Sequence, residues 1–257
     1  MPPPLIKVDV KDHIAIVTMD APPVNAQNAQ FATEITQAFD IIGDRDDVRV
    51  AILTGAGKIF SAGADIRSRK AVGETKGERF QHIRRVRESF HAIRECTKPV
   101  IAALNGPALG AGLALAASCD ILIAAEEASL GLPEIDVGLL GGGRHSMRLF
   151  GHSRLRRMML TGYRVPGPEL YRLGVVELCV PRAELMDAAL KMAAEIAGKS
   201  PTAIRLAKQS LNTIEELGLR DGYRYEQNMT LQLSGHPDSQ EAMAAFLEKR
   251  KPTFSGS

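Results

Sequence analysis

Two segments of the chain combine small residues with a spacing that lets main chain approach a ligand. The first is Ile59-Phe60-Ser61-Ala62-Gly63-Ala64-Asp65; the second is Asn105-Gly106-Pro107-Ala108-Leu109-Gly110-Ala111-Gly112. Both follow short apolar runs at similar offsets. A turn that opens into a helix leaves backbone N–H groups unpaired and pointing outward, and residues without bulky side chains leave those groups accessible. Two such turns facing each other would form an oxyanion hole, a pair of donors aimed at a carbonyl oxygen that gains negative charge. Composition by itself favours a plainer reading, because Gly/Ala clusters more often mark tight helix–strand packing than catalysis. Ser61 is the serine within these loops, but no Gly-x-Ser-x-Gly elbow surrounds it, which makes a serine hydrolase a remote reading. Glu134, in Leu132-Pro133-Glu134-Ile135, reads on its own as a surface turn or a helix start.

The elements that must position these loops follow from hydrophobic spacing. Leu5–Val10 and Ile14–Met19, separated by a polar triplet, predict a β-hairpin. Phe31, Ile35, Ala38, Phe39 and Ile42 predict a helix, and Phe80, Ile83, Val86, Phe90 and Ile93 predict a second one with those residues on one face. Val50–Leu53, Val100–Leu104 and Ile121–Ala124 are apolar without alternation, as strands buried on both faces are. A Gly/Ala-rich helix is expected to begin near Gly110. Strand, helix, strand, helix, strand specifies an α/β core with parallel pairing. Beyond about Gly151 the strand signals fade. Helical spacing covers Ala183–Ala197, and Ser200-Pro201 supplies a cap and first-turn proline for a helix with Ile204, Ala207, Leu211 and Ile214 as its stripe. Asp238 and Glu241 suggest a capping box for the last helix, with Met243, Phe246 and Leu247 apolar. The chain thus divides into an α/β core and a helical C-terminal third, with no low-complexity linker between them.

Composition removes several function classes. The 257 residues are 45% hydrophobic and 24% charged, with a formal net charge of +2, an ordinary globular profile with no concentrated basic tract for nucleic acid. The basic stretch Arg79 to Arg94 reads as a solvated helix face, with a secondary role in attracting an anionic ligand left open. Cys96, Cys119 and Cys179 are too few and scattered for a disulfide framework or a zinc site, and the histidines show no metal-ligand spacing, so no metal is expected. The N-terminus shows no secretory signal and no apolar run approaches a membrane span, so a cytoplasmic location without membrane partners is expected.

The strings FSAGADI, KPVIAALNGPALGAGLALAASCDILIA and ASLGLPEIDVGL, in this order and spacing, resemble the crotonase (enoyl-CoA hydratase/isomerase) family. The likeness runs over nearly the whole chain, through the MMLTG after Arg157 to the closing AFLEKRKPTF. It implies an α/β fold in which ββα units form a spiral over residues 1–195. A helical region over 196–257 would serve trimerisation or act as a lid, in a homotrimer or a dimer of trimers. It also implies an acyl-coenzyme A thioester as substrate, with CoA as part of that substrate and no separate cofactor. By resemblance, Ala64 and Ala111 occupy the positions whose backbone N–H groups form the oxyanion hole, and Glu134 that of the proton-transferring carboxylate. Ala62, Asp65, Ile66 and Arg67 fall where CoA is bound; Asp65 is also read as capping a helix, and Arg67 is the first candidate for the phosphates. Lys249-Arg250-Lys251 could reach a neighbouring subunit's site, or form a solvated charged tail.

The departures from the family pattern carry as much information as the matches. Family hydratases commonly carry a further glutamate where this chain has Ala114, and alanine can neither transfer a proton nor hold a water. Two carboxylates suit water addition, whereas one suits a 1,3-proton shift. Some hydratases and hydratase-lyases of the family work with the second glutamate alone, and thioester hydrolysis on the same fold is a further alternative. Where the family commonly reads Pro-Gly-Ala-Gly-Gly, this chain has Gly141-Gly142-Gly143-Arg144-His145. His145, with Arg144 beside it, could be an accessory acid/base or could orient the acyl group, since imidazole titrates near neutrality. The plainer alternative is a half-exposed helix histidine with a hydrogen-bonded neighbour. A protein that keeps the fold as an acyl-CoA-binding scaffold is the contrasting class, and retention of Glu134 beside both loops argues against it.

Overall fold

A long strand, a short strand and a helix recur along the chain, and this repeat positions everything else. The computed structural model describes residues 2–66 and 75–254. The hairpin forms as expected, β1 (Ile6–Lys11) pairing antiparallel with β2 (Ile14–Met19). β2 is followed by the short β3 (Ala26–Gln27) and the helix α1 (Ala29–Asp44). Next come β4 (Val50–Gly55), the short β5 (Gly63–Ala64) and, beyond the undescribed residues, α2 (Lys76–Glu95). The pattern repeats as β6 (Val100–Leu104), β7 (Ala108–Leu109) and α3 (Ala111–Ser118), and again opens with β8 (Ile121–Ala125) and β9 (Ser129–Gly131). These are the ββα units of the expected spiral.

The long strands assemble in the order β1-β2-β4-β6-β8 with a late strand, β11 (Leu178–Val180), at the far edge; every pairing from β2 onward is parallel. Both faces are covered, which explains the apolar runs without alternation. On one face Val17, Leu53, Ala102 and Ala124 pack with Phe31, Phe39, Ile93 and Leu113. On the other, Val50, Ile52, Ile101 and Ile123 meet Leu185, Ala189 and Ala193.

After β9 a 3₁₀ turn (Pro133–Val137) leads to α4 (Gly143–Ser146), α5 (His152–Thr161), β10 (Arg164–Pro166), α6 (Gly167–Arg172), β11 and α7 (Leu185–Ala197). Two strands therefore lie where strand signals were expected to fade. Each is three residues long, too short for a period of two to register. The chain ends in α8 (Pro201–Ile214), α9 (Leu219–Ser234) and α10 (Pro237–Leu247). The boundary expected at 195/196 falls in the last turn of α7, a helix packed on the sheet.

The structure corrects several apolar stripes. On α2, Phe90 and Ile93 are buried but Phe80 and Ile83 are 61% and 57% exposed. Only the C-terminal half of α2 reaches the core, so helical spacing overstated the buried face; Arg79, Arg84 and Arg87 are exposed as expected. On α8, Ser200 caps as expected by accepting from the Ala203 N–H at 3.1 Å. The face turned to the core carries Leu206 and Lys208, however, while Leu211 faces a groove against α9. Lys208 is 6% exposed and donates to the Asp120 carboxylate at 2.9 Å and to the Lys98 and Ile93 carbonyls. A satisfied ammonium, not an apolar ridge, anchors this helix.

α10 begins two residues earlier than expected. His236 caps it through Nδ1, and Asp238 is buried as the acceptor of Ser200 Oγ at 2.7 Å. Glu241 instead clamps Arg250 through two bonds of 2.6 and 2.9 Å. The Arg250 guanidinium holds the Glu241 carboxyl at about 2. A carboxyl with a depressed folded pKa adds stability above its ordinary value and loses it as pH falls toward the folded one. The clamp is therefore expected to persist at pH 4 and open toward pH 2. NMR titration of the Glu241 carboxyl, together with exchange of the Thr253 amide that it accepts at 2.8 Å, checks this.

Candidate active site

The two glycine-rich loops are joined backbone to backbone. Phe60 and Ser61 donate their N–H groups to the Pro107 carbonyl at 3.1 and 3.2 Å, and Leu109 donates back to the Ser61 carbonyl at 2.9 Å. A methyl group at Gly112 would overlap the Ser61 carbonyl, and one at Gly63 would lie 2.5 Å from Leu109 O and 3.1 Å from Ala111 N. The packing reading of these glycines is thus correct, and it is also what brings residues 63–64 against the start of α3. Gly63 and Gly110 further require positive φ, +89° and +56°, which side-chain-bearing residues rarely adopt.

Within the first loop the donors are allotted unequally. The N–H of Ala62 goes to the Val24 carbonyl, that of Asp65 to Gln27, and that of Gly63 to Ser61 Oγ. Ala64 pairs with Gln27 across β3 and β5, and in a parallel ladder the residue flanked by bonded neighbours turns its own N–H to the other side. Ala111, the first residue of α3, has an N–H that its helix cannot satisfy, and its N-cap Gly110 offers no side chain.

Ser61, Asn25 and Gln27 hold this arrangement. Ser61 is fully buried; its hydroxyl donates to the Asn25 carbonyl at 2.7 Å and accepts from Gln27 Nε2 at 3.1 Å and from Gly63 N. A hydroxyl so occupied is a strut, not a nucleophile, which disposes of the serine-hydrolase reading. Asn25 is 2% exposed and ties Ala21, Ala56 and Ile59 together through its amide. Sequence reasoning passed over Asn25 and Gln27; the available signal was an Asn after Pro-Pro-Val, the kind of residue that tolerates positive φ and bonds its own turn.

Glu134 sits in a 3₁₀ turn whose following residues are exposed, but it is itself half-buried. The 3₁₀ turn after β9 points its carboxylate at Gly110: a methyl group there would overlap Oε1 and lie 3.0 Å from Cδ. The carboxylate therefore stands beside the N-terminus of α3, next to Ala111 and across from the loop carrying Ala64. Ala114, one turn along α3, is 1% exposed and brings no titratable group.

His145 and Arg144 are not brought to Glu134. The His145 ring packs edge-to-face on Phe90, with centroids 4.9 Å apart, and shares a cavity with Ser118 at the far end of α3. Burial, then His91, Arg148, Arg144 and Arg94, push its pKa below the usual imidazole value. Among the described residues no hydrogen bond reaches the imidazole, so the hydrogen-bonded neighbour of the plainer reading is not found. Arg144 is largely exposed and meets Glu216 at 3.3 Å. Ala62 and Ile66 are exposed and Asp65 half-buried on the rim of the first loop. Arg67, and the helix Asp65 is read to cap, fall outside the described residues.

With this geometry in place, comparison with known proteins gives a consistent result. Residues 9–257 match the family described as Enoyl-CoA hydratase/isomerase. A Dictyostelium discoideum protein named "Probable enoyl-CoA hydratase, mitochondrial" is 37% identical over 95% of this chain and 88% of its own length. A Rhodococcus jostii protein named (7aS)-7a-methyl-1,5-dioxo-2,3,5,6,7,7a-hexahydro-1H-indene-carboxyl-CoA hydrolase is 36% identical over 94% of this chain and 93% of its own. The crystal structure of an enoyl-CoA hydratase from Bacillus anthracis superposes with a TM-score of 0.92 at 32% identity, covering 98% of this chain and all of that one. A chain with these ββα units, matched over nearly its full length, belongs to the enoyl-CoA hydratase/isomerase, or crotonase, family.

Proposed function

We propose that this protein binds an acyl-CoA thioester with its carbonyl oxygen between the N–H groups of Ala64 and Ala111, and that Glu134 moves the proton. The observation that carries this reading is the Glu134 carboxylate seated against Gly110, beside the first N–H of α3. Two donors directed at the oxygen lower the energy of the enolate, and so make the α-proton removable; losing one such donor costs on the order of a hundredfold in comparable sites. The positive end of α3 adds to the same effect. The chemistry asks for proton transfer and electrostatic stabilisation, so CoA enters as part of the substrate and no separate cofactor is invoked. With Ala114 in place of a second carboxylate, a single base favours isomerisation of a 3-enoyl thioester over hydration of a 2-enoyl one. Ala62, Asp65, Ile66 and Arg67 are the positions assigned to CoA.

The helices α8 to α10 are assigned to assembly of a trimer or a dimer of trimers, with a cytoplasmic location. Supporting this, Leu219, Leu231, Phe246 and Leu247 on α9 and α10 are between 71% and 92% exposed, apolar side chains that assembly would cover; light scattering in solution tests it. No described helix is long and apolar enough to cross a membrane.

The activity is tested by incubating the protein with 2-enoyl- and 3-enoyl-CoA esters and following hydration, isomerisation and thioester cleavage separately. Isomerisation is the expected dominant product. Calorimetry should show binding of CoA thioesters and none of the matching free acids; equal binding of the two would sink the reading.

A further inference from the structure

The chain doubles back over Glu134 after its 3₁₀ turn. Gly138 closes that turn in the left-handed region, at φ +68°, and the Leu139 N–H donates to the Glu134 carbonyl at 2.8 Å. Further on, Gly142 is pinned. Its φ is +74°, and a methyl group on it would lie 2.7 Å from Leu132 Cδ2. Its carbonyl accepts from both the N–H and the hydroxyl of Ser146, at 3.0 and 2.9 Å. Gly141 is therefore held between two anchored points, beside the Glu134 carboxylate.

Glu134 Oε2 is buried, and Oε1 is the oxygen that comes near glycines on two sides. On one side a methyl group at Gly110 would overlap Oε1. On the other, a methyl group at Gly141 would lie 3.9 Å from Oε1, an ordinary van der Waals contact, and would meet nothing else within 4 Å among the described residues. Gly141 does not have a left-handed φ either. Neither backbone geometry nor packing therefore requires glycine at 141, in contrast to Gly110 and Gly142. What Gly141 provides is an open, exposed flank of the base.

Under the acyl-CoA reading that flank belongs to the substrate. A carbon that gives its proton to Oε1 stands about 3–3.5 Å from it. The start of α3 closes the Gly110 side, so a substituent on that carbon turns to the Gly141 side. A linear chain passes there with the width of one carbon; a branch or a ring fills the room that a side chain would take. We propose that Gly141 sets how wide the acyl group can be at its reacting carbons, and that this width suits a thioester branched or cyclic there. The inference rests on the acyl-CoA reading above and names the class of acyl group. Gly141 is a specificity-determining residue and takes no part in the proton transfer.

The test is calorimetric, with saturated thioesters so that no turnover intervenes: cyclohexanecarbonyl-CoA, whose ring includes the α-carbon, against butyryl-CoA. Wild type is expected to bind the cyclic ester at least as tightly as the linear one. Gly141→Val sets a stiff, β-branched side chain beside Oε1. It should lower the ratio of the two affinities, cyclic over linear, by about tenfold or more, the scale on which a pocket rejects one extra carbon group. Gly141→Ala, whose methyl group the fold accommodates, should lower the same ratio by less, and decides the matter if the valine variant does not fold. Weaker binding of the cyclic ester than of the linear one by wild type overturns the inference, as does a ratio that neither substitution lowers; both outcomes leave the acyl-CoA reading intact. Failure of wild type to bind either ester overturns the acyl-CoA reading, and the inference with it.

Discussion

Glu134→Gln is expected to lower turnover by roughly a hundred- to ten-thousand-fold, the range for losing a general acid or base. The substitution keeps the shape that fits over Gly110 and keeps hydrogen-bonding capacity, but an amide cannot accept the α-proton. Affinity for the CoA ester should change little, because the interactions that bind it lie with the nucleotide and pantetheine rather than at the reacting carbon. With Ala114 contributing no carboxylate, the wild-type rate should show one acidic limb, and that limb should vanish with the mutation. Steady-state kinetics and calorimetry on whichever enoyl-CoA ester turns over give both quantities. A mutant that kept most of its turnover would remove Glu134 from the mechanism. His145 would not replace it, since it stands at the other end of α3.

Lys208→Met is expected to be the most damaging change far from the site, costing about 3 kcal/mol, as removal of one partner of a buried ion pair does. Methionine fills much of the volume but leaves Asp120 with the Val100 N–H, at 2.7 Å, and without its counter-charge; the Lys98 and Ile93 carbonyls lose their donor too. For a chain of this size that is a fall of about 6–12 °C in Tm. Because Lys208 joins α8 to the strand ends of the core, the C-terminal helices should gain amide exchange before the sheet does. Adding Asp120→Asn should return part of the loss, since the stranded charge is then gone. A double-mutant cycle showing simple additivity would refute the coupling.

The long elements were legible in the sequence because their burial imposes a pattern. Val50–Leu53 and Val100–Leu104 are covered on both faces and read as apolar runs; α1 is covered on one and reads as a stripe. The short strands were not legible. Ala26–Gln27, Gly63–Ala64 and Ala108–Leu109 exist only because a neighbour lies in register with them, and two residues hold no period. Amphipathic spacing also failed to say what a helix faces: Leu211 and Phe80 sit at apolar positions yet lie outside the core, while Lys208 is inside it. At the site, the residues suggested two loops that could face each other, and the structure joins them. Glu134 was readable only through its resemblance to a family motif, because its contact with Gly110 is made across the fold. The direction of His145, toward Phe90 rather than Glu134, depends on how α4 meets α2, which no local pattern encodes.

The bonds between Ser61, Pro107 and Leu109 have a bearing on how such a protein can diversify. They run main chain to main chain, so the spacing between the Ala64 and Ala111 amides is inherited with the topology and owes little to the identity of the side chains around it. The side chains that cover the far end of α3, by contrast, come from α2 and from the residues around α4 and Glu216, none of which takes part in that ladder. Substitutions there can change the surroundings of the helix without moving the donors. In a chain built this way, the main-chain scaffold of the site and the side chains packed around it are physically separate sets of residues.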